Sequence, residues 1–177
     1  NAAAWVAAYP AAAGMQSIVM VPAGTAPSKI IQARAHGASV VVIDGSFDRE
    51  VAQLYKAAVK EFGWYDCLSS NPYREGKKSY ASELVDQFDE QVPDWLIHPT
   101  AGGTGIYAAW KGFNELLCLH LIDRAPSLVI AQSAAAAPIV DAFEKDRAEI
   151  VPVVAGETIA ESIQVGNPAS LPRRWIL

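Results

Sequence analysis

Along the first third of the chain, short continuous apolar runs alternate with stretches in which apolar residues recur every three or four positions. The runs predict three buried strands, at 17–21, 39–43 and 64–68. The spaced positions predict helices at 1–13, 28–36 and 47–62. Alternation of this kind, with short connections, is typical of parallel sheets that helices cover on both faces. The first part of the chain is therefore predicted to be α/β.

The same alternation continues in the rest of the chain. Strands are predicted at 95–98 and 127–131, with a strand or an extended segment at 150–154. Helices are predicted at 78–88, 106–122 and 138–145. Helix 106–122 is apolar nearly all round, so it is expected to be buried. We place a domain boundary between residues 72 and 73, which gives a small α/β domain at 1–72 and part of a second one at 73–177.

A loop of small residues at 100–105 (TAGGTG) joins the strand at 95–98 to the helix that follows. A helix begins with N–H groups that lack intrahelical acceptors and with the positive end of its dipole, so a phosphate bound there meets several donors. Glycine lets the backbone approach such a ligand, and Thr104 adds a hydroxyl group. The loop matches neither the nucleotide P-loop nor the dinucleotide G-x-G-x-x-G loop. A tight turn that only needs positive φ angles is the alternative.

Charge and composition narrow the classes of function. The net charge of −5 over 177 residues argues against a broad surface for nucleic acid or for an anionic membrane. The apolar stretch 2–13 is short and contains Pro10, so neither a membrane span nor a signal peptide is predicted. Cys67 and Cys118 lie in predicted apolar elements, which favours buried thiols in a reducing cytoplasm. The three histidines lack metal-ligand spacing, so no metal site is expected.

Three separated motifs occur in a recognisable order: residues 71–78 (NPYREGKK), the PTAGGTG loop that runs into Trp110-Lys111-Gly112-Phe113, and residues 163–168 (IQVGNP). Together they resemble the threonine synthase family, within the tryptophan-synthase-β-like, fold-type II pyridoxal-phosphate enzymes. The resemblance covers nearly the whole chain. It implies a three-layer αβα architecture with parallel sheets, a small domain, and a larger domain that is incomplete here.

The resemblance also implies roles for particular residues. The cup for the phosphate of pyridoxal 5′-phosphate would be Ala101, Gly102, Gly103, Thr104 and Gly105, with Ala101 where many relatives have glycine. Asn1 would hydrogen-bond the ring oxygen of the cofactor, although it also suits a plain helix N-cap. Ser69 and Arg74 would bind the substrate phosphate, since a guanidinium can hold a phosphate through two parallel hydrogen bonds. A turn-forming serine and a surface arginine are the plainer alternatives.

The family's Schiff-base lysine would precede Asn1, and its group at the pyridine nitrogen would follow residue 168. No catalytic residue is therefore assigned, and the lysines on predicted helix faces are not substitutes for it: Lys29, Lys56, Lys60 and Lys111. The 177-residue chain is expected to be a piece of a longer enzyme and inactive alone. A sheet that lacks its outer strands should leave apolar residues between 95 and 154 exposed.

The function implied by the resemblance is that of a lyase that converts O-phosphohomoserine and water to threonine and phosphate. The expected partner is a small phosphorylated amino acid, with a homodimer left open. Threonine or serine dehydratase and cysteine synthase are alternatives within the fold, although their substrates carry no γ-phosphate for Arg74 to bind. A non-catalytic α/β module that binds an anion or a partner is the alternative from another class.

Overall fold

The structure, a computed structural model, describes residues 2–68 and 71–168. The chain forms two compact units, Asn1–Cys67 and Leu68–Leu177. Both are built from helices and parallel strand pairs, which confirms the predicted α/β class. The assignment of 1–72 and 73–177 as a small and a larger domain remains a prediction.

The first unit contains two parallel strands and three α-helices. In order they are α1 (Ala2–Ala12), β1 (Ile18–Pro22), α2 (Pro27–Ala35), β2 (Ser39–Ile43) and α3 (Ala52–Phe62). Strand β1 pairs with β2 so that Ile18 lies opposite Ser39, and α2 makes the crossover between them. Helices α1 and α2 pack together over the sheet, with Ala7 and Ala33 fully buried beside Val19 and Val21. Small alanines allow this close approach of helices to the strands.

The predicted third strand at 64–68 is wrong. Residues 64–66 have no regular structure, and a turn follows at 67–68. Helix α3 ends at Gly63, which adopts a left-handed φ of 63°, and the ring of Trp64 then stacks on Phe62 with the centroids 4.8 Å apart. Farther on, Asp66 accepts a hydrogen bond of 2.6 Å from the hydroxyl of Tyr55. The side chains that suggested a strand thus fold back onto α3.

The described residues of the second unit form four α-helices and a second strand pair. They are α4 (Asn71–Gly76), α5 (Ser79–Gln87), β3 (Trp95–Pro99), α6 (Thr104–Cys118), β4 (Ser127–Ala131) and α7 (Pro138–Glu144). Helix α5 packs on α6 around Phe113, which is 1% exposed. A Cβ atom at Gly112 would lie 2.6 Å from the Lys78 carbonyl oxygen and 2.8 Å from the Ala81 Cβ. Glycine at 112 is therefore what lets the two helices approach.

Strands β3 and β4 are parallel, with Trp95 opposite Ser127 and Pro99 opposite Ala131. Their carboxyl ends therefore lie at the same edge of the sheet, where α6 and α7 begin. Residues 150–154 form no strand and have no regular secondary structure, so only the alternative of an extended segment remains, as a prediction. The prediction of exposed apolar residues is confirmed, since Ile97 is 66% and Val154 81% exposed.

The structure of α6 corrects the expectation that this helix is buried on all sides. It buries Ile106, Ala109 and Phe113, but Trp110 on another face is 40% exposed. The exposed face also carries polar residues that a count of apolar positions underweights, such as Asn114, whose side-chain amide donates to the Trp110 carbonyl at 2.8 Å. The helix is therefore amphipathic rather than buried all round.

Candidate phosphate-binding site

The candidate site begins where β3 ends, and the backbone is fixed there by hydrogen bonds. Thr100 is 1% exposed, and its N–H donates to the Ala131 carbonyl at 2.8 Å, one residue beyond the strand pair. Its hydroxyl group donates to the His98 carbonyl at 2.9 Å. The loop that follows therefore starts from a rigid and buried base.

Gly103 directs the chain from the loop into α6. It is the N-cap residue, with φ 88° and ψ −9°, a left-handed conformation that favours glycine. The first i→i−4 hydrogen bond of the helix runs from the Tyr107 N–H to the Gly103 carbonyl at 3.1 Å. The N–H groups of Thr104, Gly105 and Ile106 thus have no acceptor within the helix, and Gly103 has no side chain to supply one. This end of α6 is suited to an anion.

The three glycines of the loop meet different steric demands. Gly103 has the positive φ. A Cβ at Gly105 would lie 2.6 Å from His98 Nε2, so Gly105 is required for packing against that ring. Gly102 has a φ outside the left-handed region, and a Cβ there would meet no atom within 4 Å. The fold alone does not require glycine at 102, whereas close approach of a ligand to the backbone would require it.

His98 packs beside the loop and is held there by a hydrogen bond. Its Nδ1 lies 3.0 Å from Thr100 Oγ1. Because the Thr100 hydroxyl donates to a carbonyl, Oγ1 can accept a hydrogen bond from His98 Nδ1. Burial lowers the pKa of His98, and the charge of Lys77 lowers it further. His98 is therefore a hydrogen-bonded packing residue, as expected for a lone histidine on an apolar strand.

Gln132 was not predicted as part of the site. It directly follows β4, and its side-chain amide lies between the loop and the start of α7. The Nε2 atom donates to the Ala101 carbonyl at 3.3 Å, while Oε1 accepts from the N–H groups of Ile139 at 2.9 Å and Val140 at 3.1 Å. The partners stand 31, 7 and 8 residues away in sequence, so no local motif could reveal the contact.

Arg74 lies half-buried on α4, which packs against α6. The adjacent Glu75 joins the two helices, since it pairs with Lys111 of α6 and, at 2.6 Å, with Lys78. Lys78 also lies 2.7 Å from Glu115 of α6. Hydrogen bonds from Lys111 and then Lys78 lower the pKa of Glu75 to about 2. Lys78 is therefore paired with two carboxylates rather than simply solvated.

The structure describes part of the predicted site. It brings together residues 101–105 in one loop and places Arg74 on a helix that contacts α6. Asn1 and Ser69 lie outside the described residues, so their predicted roles remain predictions. Cys118 is exposed, which corrects the expectation of a buried thiol. Among residues 2–68 and 71–168, no cluster of three or more metal-binding side chains occurs and no helix is long and apolar enough to span a bilayer.

Comparison with known proteins gives the class to which this geometry belongs. The family described as pyridoxal-phosphate dependent enzyme matches residues 1–177. Diaminopropionate ammonia lyase from Escherichia coli, in complex with an aminoacrylate-PLP azomethine intermediate, superposes with a TM-score of 0.76 at 20% identity. This match covers 99% of the chain and 45% of the lyase. The chain belongs to the pyridoxal-phosphate dependent enzyme family, with the fold-type II architecture, which confirms the predicted class and its cofactor.

Relatives in sequence indicate which pyridoxal-phosphate dependent enzymes the chain is most similar to among those compared. The threonine synthase of Methanocaldococcus jannaschii is 41% identical over 98% of the chain, and that of Methanosarcina acetivorans 38% identical over 96%. The chain spans 43% and 42% of the length of these two relatives. Nearly the whole chain is thus similar to threonine synthases, although it matches less than half of the length of each relative. This similarity confirms the resemblance seen in the motifs.

Proposed function

We propose that residues 101–105 hold the phosphate of pyridoxal 5′-phosphate in an enzyme that makes threonine from O-phosphohomoserine. The observation that carries this proposal is Gly102, a glycine that the fold does not need, beside a helix start with three N–H groups that lack intrahelical acceptors. Similarity to threonine synthases supports the choice of reaction.

In this proposal the loop binds and orients the cofactor. Backbone N–H groups of the first turn of α6 donate to the phosphate oxygens, and the Thr104 hydroxyl adds a donor. Bound pyridoxal phosphate supplies an electron sink for the carbanion formed when an amino acid loses its α-proton. Asn1 orients the cofactor at its ring oxygen.

Arg74 and Ser69 would bind the phosphate group of the substrate. A guanidinium forms two parallel hydrogen bonds with a phosphate, and Arg74 is placed on a helix that Glu75 ties to α6. This choice favours O-phosphohomoserine over the substrates of a dehydratase or of cysteine synthase, because those lack a γ-phosphate. The lysine that moves protons is proposed to lie outside residues 1–177, so that this chain alone binds but does not turn over.

The test is binding of pyridoxamine 5′-phosphate, which has no aldehyde and cannot attach to surface lysines. Isothermal titration of the 177-residue chain is expected to give measurable binding, with at least about ten-fold weaker binding of pyridoxamine, since one charge-assisted contact contributes more than 1 kcal/mol. Equal binding of the two compounds would contradict the phosphate site.

Two glycine variants separate ligand binding from folding. Gly102→Ala should weaken pyridoxamine 5′-phosphate binding about ten-fold or more with an unchanged thermal midpoint, because its methyl group enters open space that the ligand needs. Gly105→Ala should lower the free energy of unfolding by about 1–3 kcal/mol, because its methyl group collides with the His98 ring. Full binding by Gly102→Ala would mean that the loop is only a turn.

A further inference from the structure

Gln132 contacts the backbone of the loop at the Ala101 carbonyl. Strands β3 and β4 end side by side, and the hydrogen bond from the Thr100 N–H to the Ala131 carbonyl keeps them together for one more residue. This arrangement sets Gln132 against Ala101, whose carbonyl accepts from Gln132 Nε2 at 3.3 Å.

The orientation of the Gln132 amide follows from its partners. Only Oε1 can accept from the N–H groups of Ile139 and Val140, and only Nε2 can donate to the Ala101 carbonyl. The side chain thus uses both ends at once. Its acceptor end satisfies two N–H groups at the start of α7, and its donor end engages the loop.

A carbonyl oxygen carries partial negative charge, so a carbonyl that turned toward a bound anion would repel it. The donor from Gln132 engages the carbonyl of Ala101, two residues before the N-cap Gly103 of α6. We propose that Gln132 is a positioning residue for the anion loop, acting through Ala101 to keep the loop in the conformation that presents donors. This inference rests on the proposed phosphate site.

The competing explanation is that Gln132 only caps α7. The Gln132→Glu variant distinguishes capping of α7 from positioning of the loop. A carboxylate still accepts from the N–H groups of Ile139 and Val140 and is favoured at a helix start. It cannot donate to the Ala101 carbonyl. Ala134→Asp is the matched control, because Ala134 is exposed and the variant adds the same charge to the same loop without changing the contact to Ala101.

In the 177-residue chain, Gln132→Glu is expected to keep the thermal midpoint and to bind pyridoxamine 5′-phosphate about ten-fold more weakly, a factor that corresponds to one hydrogen bond. Ala134→Asp should weaken binding by less than about three-fold, the share expected from an exposed charge alone. Equal weakening by the two variants, or none by Gln132→Glu, would overturn the proposal and leave Gln132 as a cap.

A second measurement needs no ligand and so stands apart from the proposed function. Backbone ¹⁵N order parameters of the free protein should fall at Gly102, Gly103 and Thr104 in Gln132→Glu and stay at parent values at Ile139 and Val140. Unchanged order in the loop would overturn the positioning role even if the parent binds the probe. If the parent binds no probe but the loop loosens, the phosphate site fails and the positioning of the loop stands.

Discussion

At the scale of single residues, glycine is used for different physical reasons at neighbouring positions. Gly103 supplies a left-handed φ, whereas Gly105 and Gly112 make room for neighbouring atoms. The sequence predicts a loop before α6 that depends on glycine, but it does not show the separate role of each glycine. The atoms that exclude a side chain at Gly105 and Gly112, the His98 ring and the Lys78 carbonyl, belong to other parts of the chain. Gly102 meets neither demand, since its φ is not left-handed and a Cβ there would have open space.

Gly112→Ala tests the role of close helix contact in stability. The added methyl group would lie 2.6 Å from the Lys78 carbonyl oxygen and 2.8 Å from the Ala81 Cβ, so α5 and α6 must move apart. Overpacking costs about 1–3 kcal/mol, which outweighs the gain of up to about 1 kcal/mol from replacing glycine within a helix. Urea unfolding should show a net loss of stability.

The matched control is Gly76→Ala at the end of α4. A Cβ there meets no atom within 4 Å, and its φ is not left-handed. Its stability should stay equal or rise slightly, because only the propensity term applies. A Gly112→Ala variant as stable as the parent would show that the interface between α5 and α6 accommodates the added methyl group.

At the scale of elements, the hydrophobic pattern predicted the positions of those strands and helices that local sequence determines. Strands β2 and β4 lie where the β-branched runs predicted them. Helix α5 is one residue shorter than predicted at each end, and α7 is one residue shorter at its carboxyl end only. The prediction failed at 64–68, where Trp64 stacks on a helix instead of joining a sheet. Contacts such as Glu75 to Lys111 and Gln132 to Ala101 join residues more than 30 positions apart, so no window of sequence contains them.

The ion pairs between α4 and α6 predict a dependence of stability on pH. Hydrogen bonds from Lys111 and Lys78 lower the pKa of Glu75 from 4.5 to about 2. A carboxylate with a lowered folded-state pKa stabilises the fold above its unfolded pKa, and this contribution is lost as pH falls from about 4.5 to about 2. Glu75→Gln should therefore reduce the loss of stability across this window.

Urea midpoints measured between pH 5 and pH 2 would show the effect, with Glu83→Gln on the exposed face of α5 as the control. Because these groups lie at the surface, added salt should weaken the difference between Glu75→Gln and the parent. Parallel acid profiles for the parent and Glu75→Gln would contradict a structural role for the pairing.

At the scale of the whole molecule, the described part of each of the two units contains a two-stranded parallel sheet. Apolar residues remain exposed on β3, where Trp95 is 64% and Ile97 is 66% exposed. The fold class could be predicted from alternation of strands and helices, and the family from three separated motifs. The proposed roles of Asn1, Ser69 and Arg74 rest on the resemblance alone. A match of residue type does not show where a side chain lies relative to a ligand.

The backbone N–H groups at the start of α6 are proposed to bind the phosphate of pyridoxal 5′-phosphate. The most direct measurement is the change of ¹H–¹⁵N amide shifts when pyridoxamine 5′-phosphate is added to the ¹⁵N-labelled chain, with pyridoxamine as the control. Saturable shifts centred on Thr104, Gly105 and Ile106 are expected with the phosphorylated compound alone. Shifts that leave these three amides in place, or that pyridoxamine reproduces, would contradict it.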